Sequence, residues 1–299
     1  LTSRREGREI GDLGDTVQDR IKAAEESLTR AERQLVAVIV GNYPMSGLGS
    51  ITRLADSAGV STPTVARLVQ KLGYAGFPEF QEALRGELEA RFSDPIAKQE
   101  TWARTVPEAH ILNRFTEKVI ENISATLAHI DPKQFDDSVR LLSDLDRKIF
   151  VTGGRITHAL SEYFYLHMQV IRSGLEQLPS TSNAWPHGLL DLKQGDVLLI
   201  YDIRRYENNT LKLAEIAQGL GVEIVLMTDQ WQSPIQRYAR HTFNCRIEVP
   251  SAWDSSAALM LLTETLMAAV QERVWDSTKD RMNRLENMFD QTKIFRKFV

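Results

Sequence analysis

Residues Ile51–Gly76, ITRLADSAGVSTPTVARLVQKLGYAG, read as a helix, a tight turn and a second helix. Gly59 sits where the first helix must stop, a position that often needs a positive φ, and glycine adopts one without steric cost. Ser61 or Thr62 can cap the second helix, with Pro63 tolerated in its first turn. At about 100° per residue, Val65, Leu68, Val69 and Leu72 share one arc. Thr64, Arg67, Gln70 and Lys71 take the opposite arc, and Gly73 ends the helix. Two readings fit: a helix-turn-helix whose second helix enters the major groove, and a plain helical hairpin with a solvated outer face.

Working outward, residues 1–16 are polar and expected to be a disordered tail. Val17–Leu28 and Arg30–Val40 read as helices, the second capped by Thr29, and Asn42–Gly49 as a loop. Pro78–Phe92 reads as a further helix. A weakly patterned linker over Ser93–Pro107 follows, then a long amphipathic helix over Glu108–Ile130. Its stripe of Leu112, Phe115, Val119, Ile123, Leu127 and Ile130 packs either on its own domain or on a second subunit. Beyond Asp131 short apolar runs alternate with helical stretches: Lys148–Thr152, Asp196–Tyr201, Glu223–Met227 and Thr242–Val249 as strands, with helices at about Thr157–Ser173, Asn209–Gly219 and Ala257–Val274. Strands spaced by helices of this length imply right-handed crossovers and a parallel sheet covered on both faces. The expected organisation is a helical domain over 17–95, a linker and amphipathic helix over 96–131, an α/β domain over 132–275 and a charged helical tail over 276–299 that ends in Ile294, Phe295 and Phe298.

The 299 residues are 42% hydrophobic and include one cysteine, so an internal disulfide and a cysteine metal cluster are excluded. No apolar run approaches the roughly 20 residues that span a bilayer, and Leu1–Asp15 lacks the apolar centre of a secretory signal. A cytoplasmic protein without membrane contact is expected. The net charge of −4 is unlike that of a nucleic-acid binder, and residues 1–92 are near neutral with 12 Lys+Arg and 13 Asp+Glu. Arg53, Arg67 and Lys71 can still form a local positive patch, with modest non-specific affinity that calls for a dimer.

Several residues carry a family resemblance: Leu28-Thr29 before Glu32, Leu54-Ala55, Gly59-Val60-Ser61, Thr64-Val65, Arg67, and Lys71-Leu72-Gly73-Tyr74 with Gly76-Phe77. In these, about Thr16–Pro95 resembles the N-terminal helix-turn-helix domain of the RpiR/MurR transcriptional regulators. About Phe135–Val274 resembles the sugar isomerase (SIS) domain of the same regulators, through Asp196-Val-Leu-Leu-Ile, Leu213-Ala-Glu-Ile-Ala, Gly219 to Asp229 and Ser233-Pro234. The resemblance implies an all-α DNA-binding domain joined to an α/β domain with a SIS-like parallel sheet. It also implies a double-stranded DNA operator, a small-molecule effector such as a sugar phosphate or other anionic metabolite, and a homodimer or dimer of dimers. Arg53, Ser61, Thr62, Thr64, Arg67, Gln70 and Lys71 are the expected DNA contacts.

Ligands of open parallel sheets bind outside the carboxyl ends of the strands. That places the effector near Gly153, Gly154, Arg155 and Thr157, near Asp202, Arg204, Arg205 and Thr210, and near Thr228–Ser233. Ser255, at the start of the last helix, either binds an anion at that helix N-terminus or simply caps it. SIS domains usually hold phosphate with a Ser-x-Ser-Gly-x-Thr loop after the central strand. Counted in register, this chain has Asp202 and Arg204 for the serines, Arg205 for the glycine and Glu207 for the threonine. Three readings of Asp202-Ile-Arg-Arg-Tyr206 remain open: a clamp for an anionic effector, a structural or interfacial ion-pair cluster, and an empty site. The alternative function is a sugar-phosphate isomerase. It needs a placed base, for which His158, Glu162, His167 and Glu264 are candidates. No catalytic, metal-binding or cofactor motif is present, and a non-enzymatic regulator without a cofactor is the expectation.

Overall fold

The structure is a computed structural model that describes residues 15–105, 110–293 and 295. It divides into two units, Leu1–Ser93 and Asp94–Val299.

The first unit is helical: α1 (Val17–Ala24), α2 (Arg30–Gly41), α3 (Ile51–Ala58), α4 (Thr62–Lys71) and α5 (Phe77–Phe92). Local chemistry sets the helix ends. Thr16 with Asp19 and Thr29 with Glu32 form capping boxes at the starts of α1 and α2. Gly59 ends α3 in the left-handed conformation at φ 62°, as a residue without Cβ allows. The apolar arc of α4 is fully inside: Val65, Leu68, Val69 and Leu72 are at most 1% exposed and join Leu35, Ile39, Leu54, Phe80 and Leu84 in one core.

The second unit starts with α6 (Pro95–Thr105), α7 (Ile111–His129) and α8 (Pro132–Ser143). The α/β succession follows as β1 (Ile149–Gly153), α9 (His158–Ile171), β2 (Leu175–Gln177), α10 (Trp185–Leu189), β3 (Val197–Asp202), α11 (Asn208–Gly219), β4 (Glu223–Asp229), β5 (His241–Cys245), α12 (Ala257–Arg273) and α13 (Trp275–Thr292). The five strands are all parallel, in the order β2-β1-β3-β4-β5. Every residue of β1 and β3 is buried, as expected of strands covered on both faces. Phe150, Leu198, Ile200, Ile224 and Leu226 pack with Leu213, Ala214 and Ala217 of α11 on one face. On the other, the Tyr201 hydroxyl lies 3.0 Å from Thr263 Oγ1 of α12.

Three elements differ from expectation. The stretch read as a linker contains α6, because Asp94 Oδ1 accepts the amides of Ile96 and Ala97 and so caps a helix that begins at Pro95. The edge strand β2 is three residues long and half-buried, too short to show a pattern. The amphipathic helix α7 is pinned by polar groups: its buried residues are Asn122 and Thr126, which bond Glu248 O and the Arg246 amide. Of its apolar stripe, Leu112 and Leu127 are 66% and 49% exposed, and Phe115, Val119, Ile123 and Ile130 are half-buried. Of the expected apolar tail, Phe295 is exposed beside Phe289, and Ile294 and Phe298 lie outside the described residues.

Arg172, at the end of α9, is 1% exposed and donates to the carbonyls of Leu142, Asp144, Arg147 and Ser173. It ties α8, the approach to β1 and the approach to β2 at one point. Arg172→Met would leave those buried carbonyls without donors. A loss of about 3 kcal/mol or more in unfolding free energy is expected, read by urea denaturation; a loss below about 1 kcal/mol would contradict this role.

Candidate functional site

The outer face of α3 and α4 presents Arg53, Ser61, Arg67 and Gln70 as exposed side chains, with Thr62 half-buried. Thr64 does not join them. It is 7% exposed, and its hydroxyl lies 3.0 Å from Ser61 Oγ and accepts from Arg67 at 3.2 Å. The reason is angular: Thr64 falls only about 40° from Leu68 around the helix, so it borders the buried arc. Lys71 is tied inward as well, its ammonium 2.7 Å from Glu32 and 3.0 Å from the Ser27 carbonyl. That ion pair holds the end of α4 to the start of α2. The free reach of this face therefore belongs to Arg53, Ser61, Thr62, Arg67 and Gln70.

In the second unit the strand order reverses between β1 and β3, and the loops after these strands flank the crevice where such sheets bind ligands. The β1–α9 loop starts at Gly153, where a Cβ would lie 2.6 Å from the Thr157 backbone, so the close turn requires glycine. Arg155 N donates to Glu207 Oε1 at 2.8 Å, across from the β3–α11 loop. Thr157 is buried and spends its hydroxyl on the Tyr201 carbonyl at 2.7 Å. Thr210 likewise bonds the Glu207 carbonyl. Ser255 is half-buried, and its hydroxyl accepts the Ala257 amide at 3.3 Å at the start of α12.

The charged loop is split between inside and outside. Asp202 is 2% exposed and accepts from Ser233 Oγ. Arg204 is 8% exposed; it stacks 4.3 Å over Trp231, its Nε donates to Asp254 at 2.6 Å, and its amide donates to the buried Asp229 at 2.5 Å. Asp229 also takes the Tyr206 hydroxyl at 2.7 Å and the Trp231 amide at 2.9 Å. Asp254 in turn pairs with Lys98 of α6 at 2.5 Å, and Lys98 is itself 7% exposed. These side chains form one polar chain from α6 to the ends of β3 and β4. Arg205 and Arg155, by contrast, are exposed, and Arg205 holds φ 62°, unusual for a residue with a side chain. The sequence points to the loop and to the stretch Thr228–Ser233 that contains Asp229, but not to Asp254 or Lys98, whose roles depend on contacts distant in sequence.

Two of the four isomerase candidates meet through Tyr163, whose ring packs 4.4 Å from that of His167 and whose hydroxyl bonds Glu264, and His158 lies apart from them beside Gln177. Glu162 and His167 are exposed on α9, Glu264 accepts the Tyr163 hydroxyl at 2.7 Å, and His158 faces Gln177 at 3.2 Å. No hydrogen bond between any two of these four is found among the described residues.

Burial pushes the Asp202 carboxyl up to about 7 against the hydrogen bond from Ser233, helped by the charge of Asp229. Burial likewise raises Asp229 to about 6 against the hydrogen bonds it accepts. A carboxyl whose folded pKa exceeds its unfolded value of about 4 binds more protons folded than unfolded. Its contribution is thus most favourable below about pH 4 and is lost as pH rises through about 7. Asp202→Asn removes one such group. Its melting temperature relative to the native chain is expected to climb between pH 5 and pH 8; a difference that stays flat with pH would contradict the burial argument.

Comparison with known proteins follows this geometry. Residues 16–91 match the helix-turn-helix domain of the rpiR family, and residues 141–271 match the SIS domain. The HTH-type transcriptional regulator HexR of Escherichia coli (strain K12) is 23% identical over 289 residues, covering 92% of this chain and 94% of HexR. Among solved structures, the Vibrio vulnificus NanR protein complexed with ManNAc-6P aligns with a TM-score of 0.53 at 17% identity, covering 93% of this chain and 99% of that one. The sugar isomerase domain of an RpiR transcription factor from Sphaerobacter thermophilus aligns with a TM-score of 0.55 at 18% identity, over 60% of this chain and 99% of that one. With the helix-turn-helix domain and the SIS domain matched in this order, the chain belongs to the RpiR family of helix-turn-helix transcriptional regulators.

Proposed function

We propose that this regulator reads a two-fold operator through α4 and senses a small anionic metabolite in the crevice between β1 and β3, without catalysing a reaction. The carrying observation is the division of the loop after β3. Arg204 is committed inward to Asp254, Arg205 stands exposed in a strained conformation on the same loop, and Arg155, whose amide bonds Glu207, is exposed on the β1–α9 loop. Exposed guanidiniums suit a carboxylate through paired hydrogen bonds. Arg204, Asp254 and Lys98 provide a route by which movement of this loop reaches α6, which directly follows the helix-turn-helix unit in sequence. Glu162 and His167 are exposed, Glu264 is engaged by the Tyr163 hydroxyl and His158 by Gln177, which favours sensing over isomerisation, a reaction that needs a base placed at the ligand.

Arg67 is the leading DNA contact because it is long, exposed and central on the outer face of α4. Selection of genomic fragments by the full chain is expected to return a paired half-site. Arg67→Ala should weaken binding to it by about 1–3 kcal/mol and relax the base preference at one position per half-site. Failure to enrich any motif at moderate salt would overturn the regulator reading, and a uniform loss over all sequences would make Arg67 a phosphate contact.

A further inference from the structure

We propose that Glu207 sets the ligand specificity of the β1/β3 crevice: its own carboxylate takes the place a ligand's phosphoryl group would occupy and excludes it. The inference rests on the crevice being the effector site. Two helices, α9 of 14 residues and α11 of 12, begin at this edge, and helix starts with glycine-bearing loops are where phosphates settle in α/β folds. Here an anion is already seated. Glu207 Oε1 accepts the Arg155 amide at 2.8 Å, reaching across 52 residues of sequence from one crevice loop to the other. It also flanks Gly154 so closely that a Cβ there would lie 3.2 Å from the carboxylate oxygen and 3.5 Å from Thr157 Oγ1.

The neighbours complete the exclusion. The hydroxyls of Thr157 and Thr210 are spent on main-chain carbonyls, so neither is turned to a ligand oxygen. Asp202 and Asp229 lie buried at the adjacent strand ends, and the charge of Asp229 raises the Asp202 pKa further. A phosphate dianion entering here meets three carboxyl groups and must displace one of them from its amide. A ligand without a phosphoryl group at that end meets no such conflict. The chain's effector is therefore a metabolite unphosphorylated at the end that enters the crevice.

Glu207→Thr tests this, because threonine removes the charge and still serves at the N-cap of α11. Glu207→Gln keeps the size and removes only the charge. Full-length native chain and both variants are titrated calorimetrically with inorganic phosphate and with glucose 6-phosphate. Retained melting temperature and operator binding serve as folding controls. Glu207→Thr is expected to bind one or both probes at least about tenfold more tightly than the native chain, with Glu207→Gln between them (tenfold being about 1.4 kcal/mol). Equal affinities, tighter binding by the native chain, or binding by neither would overturn the proposal. Operator binding in the same samples keeps this outcome separate from that of the regulator reading.

Discussion

The buried carboxylate of Asp229 is the constraint on which the ligand edge depends. An ion in this position is tolerated only with its lone pairs satisfied. Asp229 collects the amides of Arg204 and Trp231 and the hydroxyl of Tyr206. Those bonds fix the path of the chain after β3 and after β4 together. With the Arg204 backbone held, its guanidinium stacks on Trp231 and reaches Asp254, and Asp254 can then hold Lys98. One carboxylate thus organises two loops, the start of α12 and the helix α6.

The same network explains why a parallel sheet with a familiar topology presents an unusual crevice. Hydroxyls and glycine amides leave room for a ligand, whereas carboxylates and guanidiniums satisfy each other across short distances. Asp202 with Ser233, Arg204 with Asp254 and Glu207 with the Arg155 amide all close inward. What remains outward is the pair of exposed arginines, 155 and 205. Which charges this loop can offer is set by which are already paired, and not by the count of charges in it.

Much of the architecture was legible in the residues themselves. Val197–Tyr201 is a short continuous apolar run that reads as a strand covered on both faces, and Val65, Leu68, Val69 and Leu72 mark the inner face of α4 by spacing. What was not legible depends on partners far along the chain. Helix α6 has little periodicity and is held by Asp94 and by a Lys98 ion pair to a residue 156 positions away. The three residues of β2 are a strand because β1 pairs with them. Thr64 was misplaced because a residue at the border of an arc is buried or exposed according to its neighbours' packing. The loop Asp202–Tyr206 announced its charges, but only the fold shows that Asp229 and Asp254 neutralise them from within.

The central claim is that this edge is internally satisfied and therefore rigid before any ligand arrives. Residue-resolved amide hydrogen exchange on the full-length chain tests it most directly. The amides of Arg204 and Trp231, which end on Asp229, and of Arg155, which ends on Glu207, are predicted to exchange as slowly as those inside β3. Exchange of all three at the rate of an open surface loop would contradict the account.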